Sequence, residues 1–337
     1  MTTPVVEGAA PLVSVIVPNY NHARYLDQRI QSILLQTFQD FEILLLDDRS
    51  TDDSPAVLSK YADHPKVAGV FVNEANGGSP YLQWNRGARM ARGRYLWLAE
   101  SDDYAAPTFL ERLVAVMEAQ PRVGLAYCRS LKVDEQSHVF GSTDDWTRDL
   151  DATRWSHDHI NSGLDECARF MIRRCIIPNV SSALLRHSVL SRIGYAEEAM
   201  KYCGDYFTYV RMLEVSDVAY TAEPLNYFRF SNTTVRNRMT NSWRHDHERA
   251  QIVAYIAARL KVPAPTLEDA RDALLEHLAR ASISSWPAAR MYFGNYLRTR
   301  EVVTRFCPWP EARVADLLRR ILLRKTRRVL RRALALN

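Results

Sequence analysis

Cysteine is scarce in this chain and follows no pattern. The five residues Cys128, Cys167, Cys175, Cys203 and Cys307 are odd in number, with no C-x-x-C spacing. That argues against a disulfide framework or a cysteine zinc site and fits a reducing cytoplasm. Long apolar runs are missing as well. No stretch approaches the roughly 18–20 residues needed to cross a bilayer, and residues 1–11 have neither a basic start nor an apolar core, so no signal peptide is expected. Glycine-rich phosphate loops are also lacking. The first apolar run ends in Pro18-Asn19-Tyr20-Asn21. A dehydrogenase needs G-x-G-x-x-G at that point, and a sugar-1-phosphate nucleotidyltransferase needs a glycine-rich basic loop. There is no internal repeat and no low-complexity segment.

What is present is an alternation. At 337 residues the chain has room for one large α/β domain and an appendage. Val13–Pro18, Phe41–Leu46, Val67–Val72 and Tyr95–Ala99 read as buried strands. Between them, Leu26, Ile30, Ile33 and Leu34 recur at helical spacing, Asp52 or Ser54 opens a second helix, and a third follows Asn76-Gly77-Gly78-Ser79. A further helix is expected over Phe109–Glu118. A strand followed by a helix about every thirty residues predicts a doubly wound, mostly parallel sheet of the α/β class. Beyond Pro121 the pattern loosens. Strands are expected at Val123–Cys128, Val180–Leu185 and Ala219–Phe230, a helix at Phe207–Glu214, and loop at Asp144–Asp165. From Ser242 onward the reading is helical. The expected organisation is a flexible start over 1–10, an α/β domain over 11–241 and a helical region over 242–337.

Chemistry concentrates at Glu100-Ser101-Asp102-Asp103, directly after the run Tyr95–Ala99. Carboxylates at the end of a buried strand lie on the sheet edge where open α/β folds bind ligands. An oxygen cluster of this kind suits Mg²⁺ or Mn²⁺ bridged to substrate phosphates. Taken alone, the same residues also read as a solvated turn with a cap for the helix near Pro107.

These pieces in order resemble the family 2 glycosyltransferases, whose fold is called GT-A. The matching segments are Val13–Asn21, Leu46–Asp52, Asn76–Ser79, Ala91–Tyr95, Glu100–Asp103, Ser181–Arg186, and Gly204-Asp205 ahead of Arg211. The resemblance implies an inverting transfer of a sugar from a nucleotide-diphospho-sugar to a hydroxyl acceptor, in the synthesis of a bacterial surface glycan or a lipid-linked oligosaccharide. It assigns donor binding to Pro18, Tyr20, Asp48, Asn76 and Asp102, direct metal binding to Asp103, and the general base to Asp205. Tyr20 offers a flat face to a nucleobase, and Asp48 accepts from a base imide. The alternative for Asp48 is an Asx turn with Ser50, a role that suits Asp47 or Asp52 better. Asp205 also suits the cap of the helix near Phe207, and Glu197 and Glu198 are the other candidates for the base.

Three departures stand out against the resemblance. Trp84 occupies the place where many relatives carry arginine, leaving Arg86, Arg236 or Arg238 to supply a positive contact, and Arg49 stands where glycine is common. Glu100 replaces the more frequent aspartate. The pairs His157/His159 and His245/His247 lack a third ligand at useful spacing, so zinc is not expected. The net charge of +5 gathers in the tail, where eight cations lie between Arg319 and Arg332 with no acid among them. On a helical wheel six of them, Arg319, Arg320, Arg324, Arg327, Arg328 and Arg331, oppose Leu318, Ile321, Leu322 and Val329, so residues 316–337 read as a basic amphipathic helix for an anionic membrane surface or for packing. The tail has no interleaved aromatics, so no nucleic-acid partner is expected. A non-catalytic nucleotide-sugar-binding module remains the rival from another class.

Overall fold

A computed structural model describes residues 10–231, 243–282, 300–305 and 307. Strand β1 (Val13–Asn19) and strand β2 (Phe41–Asp47) are buried at every position. Strand β3 (Val67–Val72) is only partly covered, and β4 (Tyr95–Leu98) is again buried throughout. Continuous apolar strands of this kind need helices on both faces. Helices α1 (Ala23–Leu34), α2 (Ser54–Ser59) and α3 (Pro80–Met90) are the crossovers between them. There follow β5 (Tyr104–Ala105), α4 (Phe109–Ala119), β6 (Val123–Val133), β7 (Val139–Ser142), α5 (Asp144–Thr147), β8 (His159–Asn161) and α6 (Gly163–Glu166). Strand β9 (Ala183–Arg186), α7 (His187–Arg192), α8 (Gly204–Leu213) and β10 (Asp217–Arg229) complete the sheet region.

The strands join in the order β3-β2-β1-β4-β9-β6-β10-β5, with β7 added to β6 and β8 to β10. β1, β2, β3 and β4 pair in parallel, and so do β6 and β10. β9 is antiparallel to both β4 and β6. Most paired positions are parallel, as the alternation predicts, and β4, β6 and β10 all end at one edge.

The core on one side of the sheet packs Leu26, Ile30 and Ile33 of α1 and Leu113 and Met117 of α4 against Val13, Val15, Ile43 and Trp97. Each such side chain contributes about 1.5–3 kcal/mol when fully buried. Trp97 stacks on Phe109 with ring centroids 4.4 Å apart. On the other side, α3 sits close because Gly87 has no side chain. A Cβ there would lie 2.5 Å from Ile16 Cγ2.

The sequence pattern missed β5, β7 and β8, which are two to four residues long and too short for a period to register. It also ended β6 at Cys128. The strand continues to Val133 because ion pairs from Arg129 to Asp144 and from Lys132 to Asp145 cover its charged positions. The segment read as loop, Asp144–Asp165, holds α5 and β8, and most of α6.

The chain divides into two compact units. The first runs through Glu166 and includes Ile176–Ala199 and Gly204–Ser231, and the second takes Cys167–Cys175, Met200–Cys203 and the described residues beyond 242. The boundary expected at 241 falls outside the described residues. In the second unit, α9 (Trp243–Arg259) and α10 (Ala264–Ser282) are helices inside the span read as helical, most of whose remainder lies outside the described residues. There the buried Glu248 accepts the N–H groups of Lys201, Tyr202 and Cys203 at 2.8–2.9 Å, which explains why that short segment belongs with the helices. Among the described residues no helix is long and apolar enough to cross a membrane.

Candidate active site

A proline inside β1 opens the site. Odd-numbered residues of β1 bond toward β2, as in Asp48 N–H to Asn19 O, and even-numbered ones toward β4, as in Ala99 N–H to Ile16 O. Pro18 therefore turns its donorless nitrogen to the β4 side, where the pairing has already ended at Ile16. A proline is tolerated there and nowhere else in the strand. Beyond this point no strand pairing joins β1 to β4, and this break lies at the switch in strand order, where open α/β sheets bind ligands.

Two adjacent aspartates end β2 and differ in use. Asp47 takes Asn19 Nδ2 at 2.8 Å, and the hydroxyl and N–H of Ser50 at 2.6 and 2.9 Å. It is the Asx turn that the sequence left between Asp47, Asp48 and Asp52. Asp48 Oδ1 accepts from Asn73 Nδ2, Gly77 N–H and Gln83 Nε2 at 2.6–2.9 Å. Its Oδ2 takes no hydrogen bond from the described residues. Asn76 donates to the Asp48 carbonyl at 3.1 Å and so shapes the loop above it. Tyr20, just past the end of β1, leaves 45% of its surface exposed.

The acidic edge is similarly graded. Asp103 is buried, with Oδ1 accepting Arg229 N–H at 2.9 Å and Oδ2 accepting Asn179 Nδ2 at 2.7 Å. Asp102 is half-buried, and its carboxylate takes no hydrogen bond from the described residues. The structure thus makes Asp102 the accessible carboxylate and Asp103 the anchored one. Glu100 Oε1 accepts from Trp84 Nε1 at 2.7 Å. Burial, with Asp102 beside it, pushes Glu100 up to about 8, and the same causes push Asp103 up to about 6.

Two arginines that the sequence did not single out hold this edge. Arg229 ties Asp102 O, Asp134 O, Gln28 and Ser137 together through its guanidinium at 2.7–3.1 Å. Arg29 is wholly buried, donates to Glu100 O at 3.0 Å and lies 4.9 Å from the Trp97 ring. Its charge sits beneath the three acids. Both lie in stretches that read as ordinary helix and strand, and nothing local marks them.

Asp205 stands in the first turn of α8, half-buried, with Oδ1 accepting Tyr206 N–H at 2.7 Å. The helix start is fixed to the acidic edge by a short chain of contacts. Gly204 N–H donates to Tyr81 Oη at 3.0 Å, Tyr81 meets Trp84 edge-on at 5.1 Å, and Trp84 holds Glu100. A Cβ on Gly204 would lie 2.6 Å from the Tyr81 ring, so only glycine allows this approach. Of the other two acids, Glu198 is engaged by Asn85 at 2.8 Å, and Glu197 accepts Ala199 N–H at 3.3 Å.

Residues 14–179 match the family described as glycosyl transferase family 2. The chain carries a family 2 glycosyltransferase domain. It is 27% identical over 237 residues to an uncharacterized glycosyltransferase of Rickettsia typhi, covering 69% of this chain and 68% of that one. Among solved structures, S. aureus TarS 1-349 in complex with UDP-GlcNAc superposes with a TM-score of 0.67 at 18% identity, covering 91% of this chain and 83% of that one. A mannosyltransferase of Pyrobaculum calidifontis in complex with GDP-Man and Mn²⁺ gives 0.53 at 18% identity, covering 92% and 86%. The fold is GT-A.

The departures of this glycosyltransferase domain now have physical reasons. Trp84 and Glu100 are a single hydrogen-bonded pair, and the added methylene of glutamate brings its carboxyl to the indole N–H. Arg86 is held by Asn73 and lies 5.8 Å from the Phe71 ring, while Arg236 and Arg238 fall outside the described residues. Arg49 has φ of 63°, the left-handed region that glycine enters without strain. Among the described residues no group of three or more His, Cys, Asp or Glu is arranged to hold a metal ion.

Proposed function

We propose that this domain transfers a sugar from a nucleotide-diphospho-sugar to an acceptor hydroxyl with inversion at the anomeric carbon. The observation that carries the reading is Asp48, with one oxygen held by three donors and the other taking no hydrogen bond from the described residues, beside the exposed Tyr20 at the ends of β2 and β1. A fixed acceptor beside a flat aromatic face is what a base imide and its ring require. The structural neighbours bound to UDP-GlcNAc and GDP-Man support a nucleotide sugar as donor.

The diphosphate then falls toward Asp102 and the sugar toward α8. Asp205 takes the proton from the acceptor hydroxyl as its oxygen bonds to the anomeric carbon, and the bond from that carbon to the diphosphate breaks on the opposite face. The all-oxygen donor set of Asp102 and Asp103 fits a hard cation such as Mg²⁺ or Mn²⁺, because Asp102 is accessible and a carboxylate has lone pairs beyond the two that Asp103 uses. Such an ion supplies Lewis-acid neutralisation of the leaving diphosphate. The buried Arg29 and the guanidinium of Arg229 keep the acids together before donor arrives.

The acceptor we assign is a hydroxyl of a surface glycan or lipid-linked glycan, reached from the cytoplasmic face. Residues 316–337 lie outside the described residues, and their role as a membrane-surface contact rests on their charge pattern. Loss of anionic-liposome binding on removing them tests it.

The direct experiment is a thermal-shift and donor-hydrolysis screen of nucleotide diphosphates and their sugars, with and without Mn²⁺. A ligand at a hundred times its Kd stabilises by about 2.7 kcal/mol. No shift with any nucleotide overturns the reading. Binding without turnover of any donor makes the domain a binding module, and full activity in excess chelator removes the metal.

A further inference from the structure

The edge that carries Asp102 and Asp103 continues onto an aromatic surface. Phe228 and Phe230 alternate with Arg229 at the end of β10 and meet at 4.7 Å between ring centroids. Phe140 on β7 meets Phe230 edge-on at 5.7 Å and is 59% exposed. Lys132 of β6 lies 5.8 Å from the Phe230 ring and pairs with the exposed Asp145. Arg229, between the two phenylalanines, donates its N–H to Asp103 Oδ1 at 2.9 Å and its Nε–H to Asp102 O at 2.7 Å. The aromatic surface is therefore one residue away from the acidic edge, on the side opposite Tyr20 and Asp48.

We propose that Phe140, Phe228 and Phe230, with the Lys132–Asp145 pair, form a subsite that seats a sugar ring of the acceptor. This rests on the transferase reading above. A pyranose has an apolar C–H face and a rim of hydroxyls. Aromatic rings cover the face, and an adjacent ion pair takes the hydroxyls, the mixture of apolar floor and few polar groups found in small-molecule sites. The position favours the acceptor over the donor. Tyr20 and Asp48 place the base at the ends of β1 and β2 and the acids place the diphosphate at β4, while the aromatic surface is at β6, β7 and β10. An exposed phenylalanine on a four-residue edge strand is otherwise an invitation to strand pairing and aggregation.

The test uses the full chain and saturation-transfer NMR with methyl β-D-glucopyranoside, methyl β-D-galactopyranoside and methyl N-acetyl-β-D-glucosaminide, without nucleotide. Wild type and Phe140→Tyr should saturate the ring C–H protons of at least one glycoside. Phe140→Ala should bind it about two- to tenfold more weakly, the worth of one aromatic contact. Nucleotide thermal shifts and donor hydrolysis should be the same in all three. No glycoside signal in wild type, or an equal signal in Phe140→Ala, overturns the subsite. A change in donor hydrolysis in Phe140→Ala moves the ring to the donor sugar, and a concentration-dependent dimer that Phe140→Ala dissolves makes the surface a self-association face. Either result also overturns it. Glycoside binding that Phe140→Ala weakens, in a protein that no nucleotide shifts, upholds the sugar site while removing the transferase reading.

Discussion

Asp47 and Asp48 are neighbours of the same chemistry, yet one closes a turn and the other keeps an oxygen open. The difference lies in what surrounds each: Ser50 and Asn19 consume Asp47, while three donors on a single oxygen orient Asp48. Tyr20 and Asp205 carry the residue-scale predictions. Tyr20→Ala should weaken binding of a nucleotide diphosphate by about 1–3 kcal/mol, the worth of stacking on a base, with an unchanged melting temperature. Titration calorimetry with the free nucleotide checks this, and equal affinity would reduce Tyr20 to a surface residue. Asp205→Asn should cut transfer by about 10²–10⁴ while leaving nucleotide affinity intact, since the base faces the acceptor. Initial rates set beside binding constants separate that result from a damaged fold.

At the scale of elements, β1, β2 and β4 were legible because each is a mostly apolar run closed by proline or a carboxylate. Helix α8 was legible too, though its start was placed three residues late because Gly204 and Asp205 read as loop. The clamp between elements was not legible. Trp84 lies on α3 and Glu100 beyond β4, sixteen residues apart, and no local pattern couples an indole to a carboxyl across a sheet. Trp84→Phe removes the only hydrogen bond to the Glu100 side chain among the described residues and should cost about 1–3 kcal/mol, as for a buried acceptor left unmet. Adding Glu100→Gln should recover little, and a double-mutant cycle by urea unfolding should show coupling between the two. Additive losses would mean that the pair acts only by packing.

For the whole molecule, the buried acids set the response to pH. Glu100 is held near 8 against an ordinary 4.5, so the folded protein binds an extra proton between these values. That contribution to stability is fully present below the ordinary value and is lost as pH rises through the folded one, and Asp103 adds to the loss between its ordinary 3.8 and about 6. The unliganded protein should therefore lose stability from about pH 5 to about pH 8, and Glu100→Gln should flatten that slope. Urea midpoints across the range check the sign. A midpoint that rises with pH in the wild type would contradict it.

The sequence by itself determined the class of sheet, the ends of β1, β2 and β4 to within a residue and the identity of most acids at that edge, because buried parallel strands need mostly apolar runs and their ends need turn-forming or ligand-facing residues. Only the tertiary structure decided which acid faces outward. Asp102 and Asp103 are indistinguishable in a string of letters. Arg229 and Asn179, which anchor Asp103, reach it from more than seventy residues away. The same holds for Arg29, an ordinary helical residue until folding places it beneath three carboxylates, and for Phe140, Phe228 and Phe230, which the β6–β7 and β6–β10 pairings bring to one edge. Local periodicity encodes the elements, and long-range pairing encodes their juxtaposition.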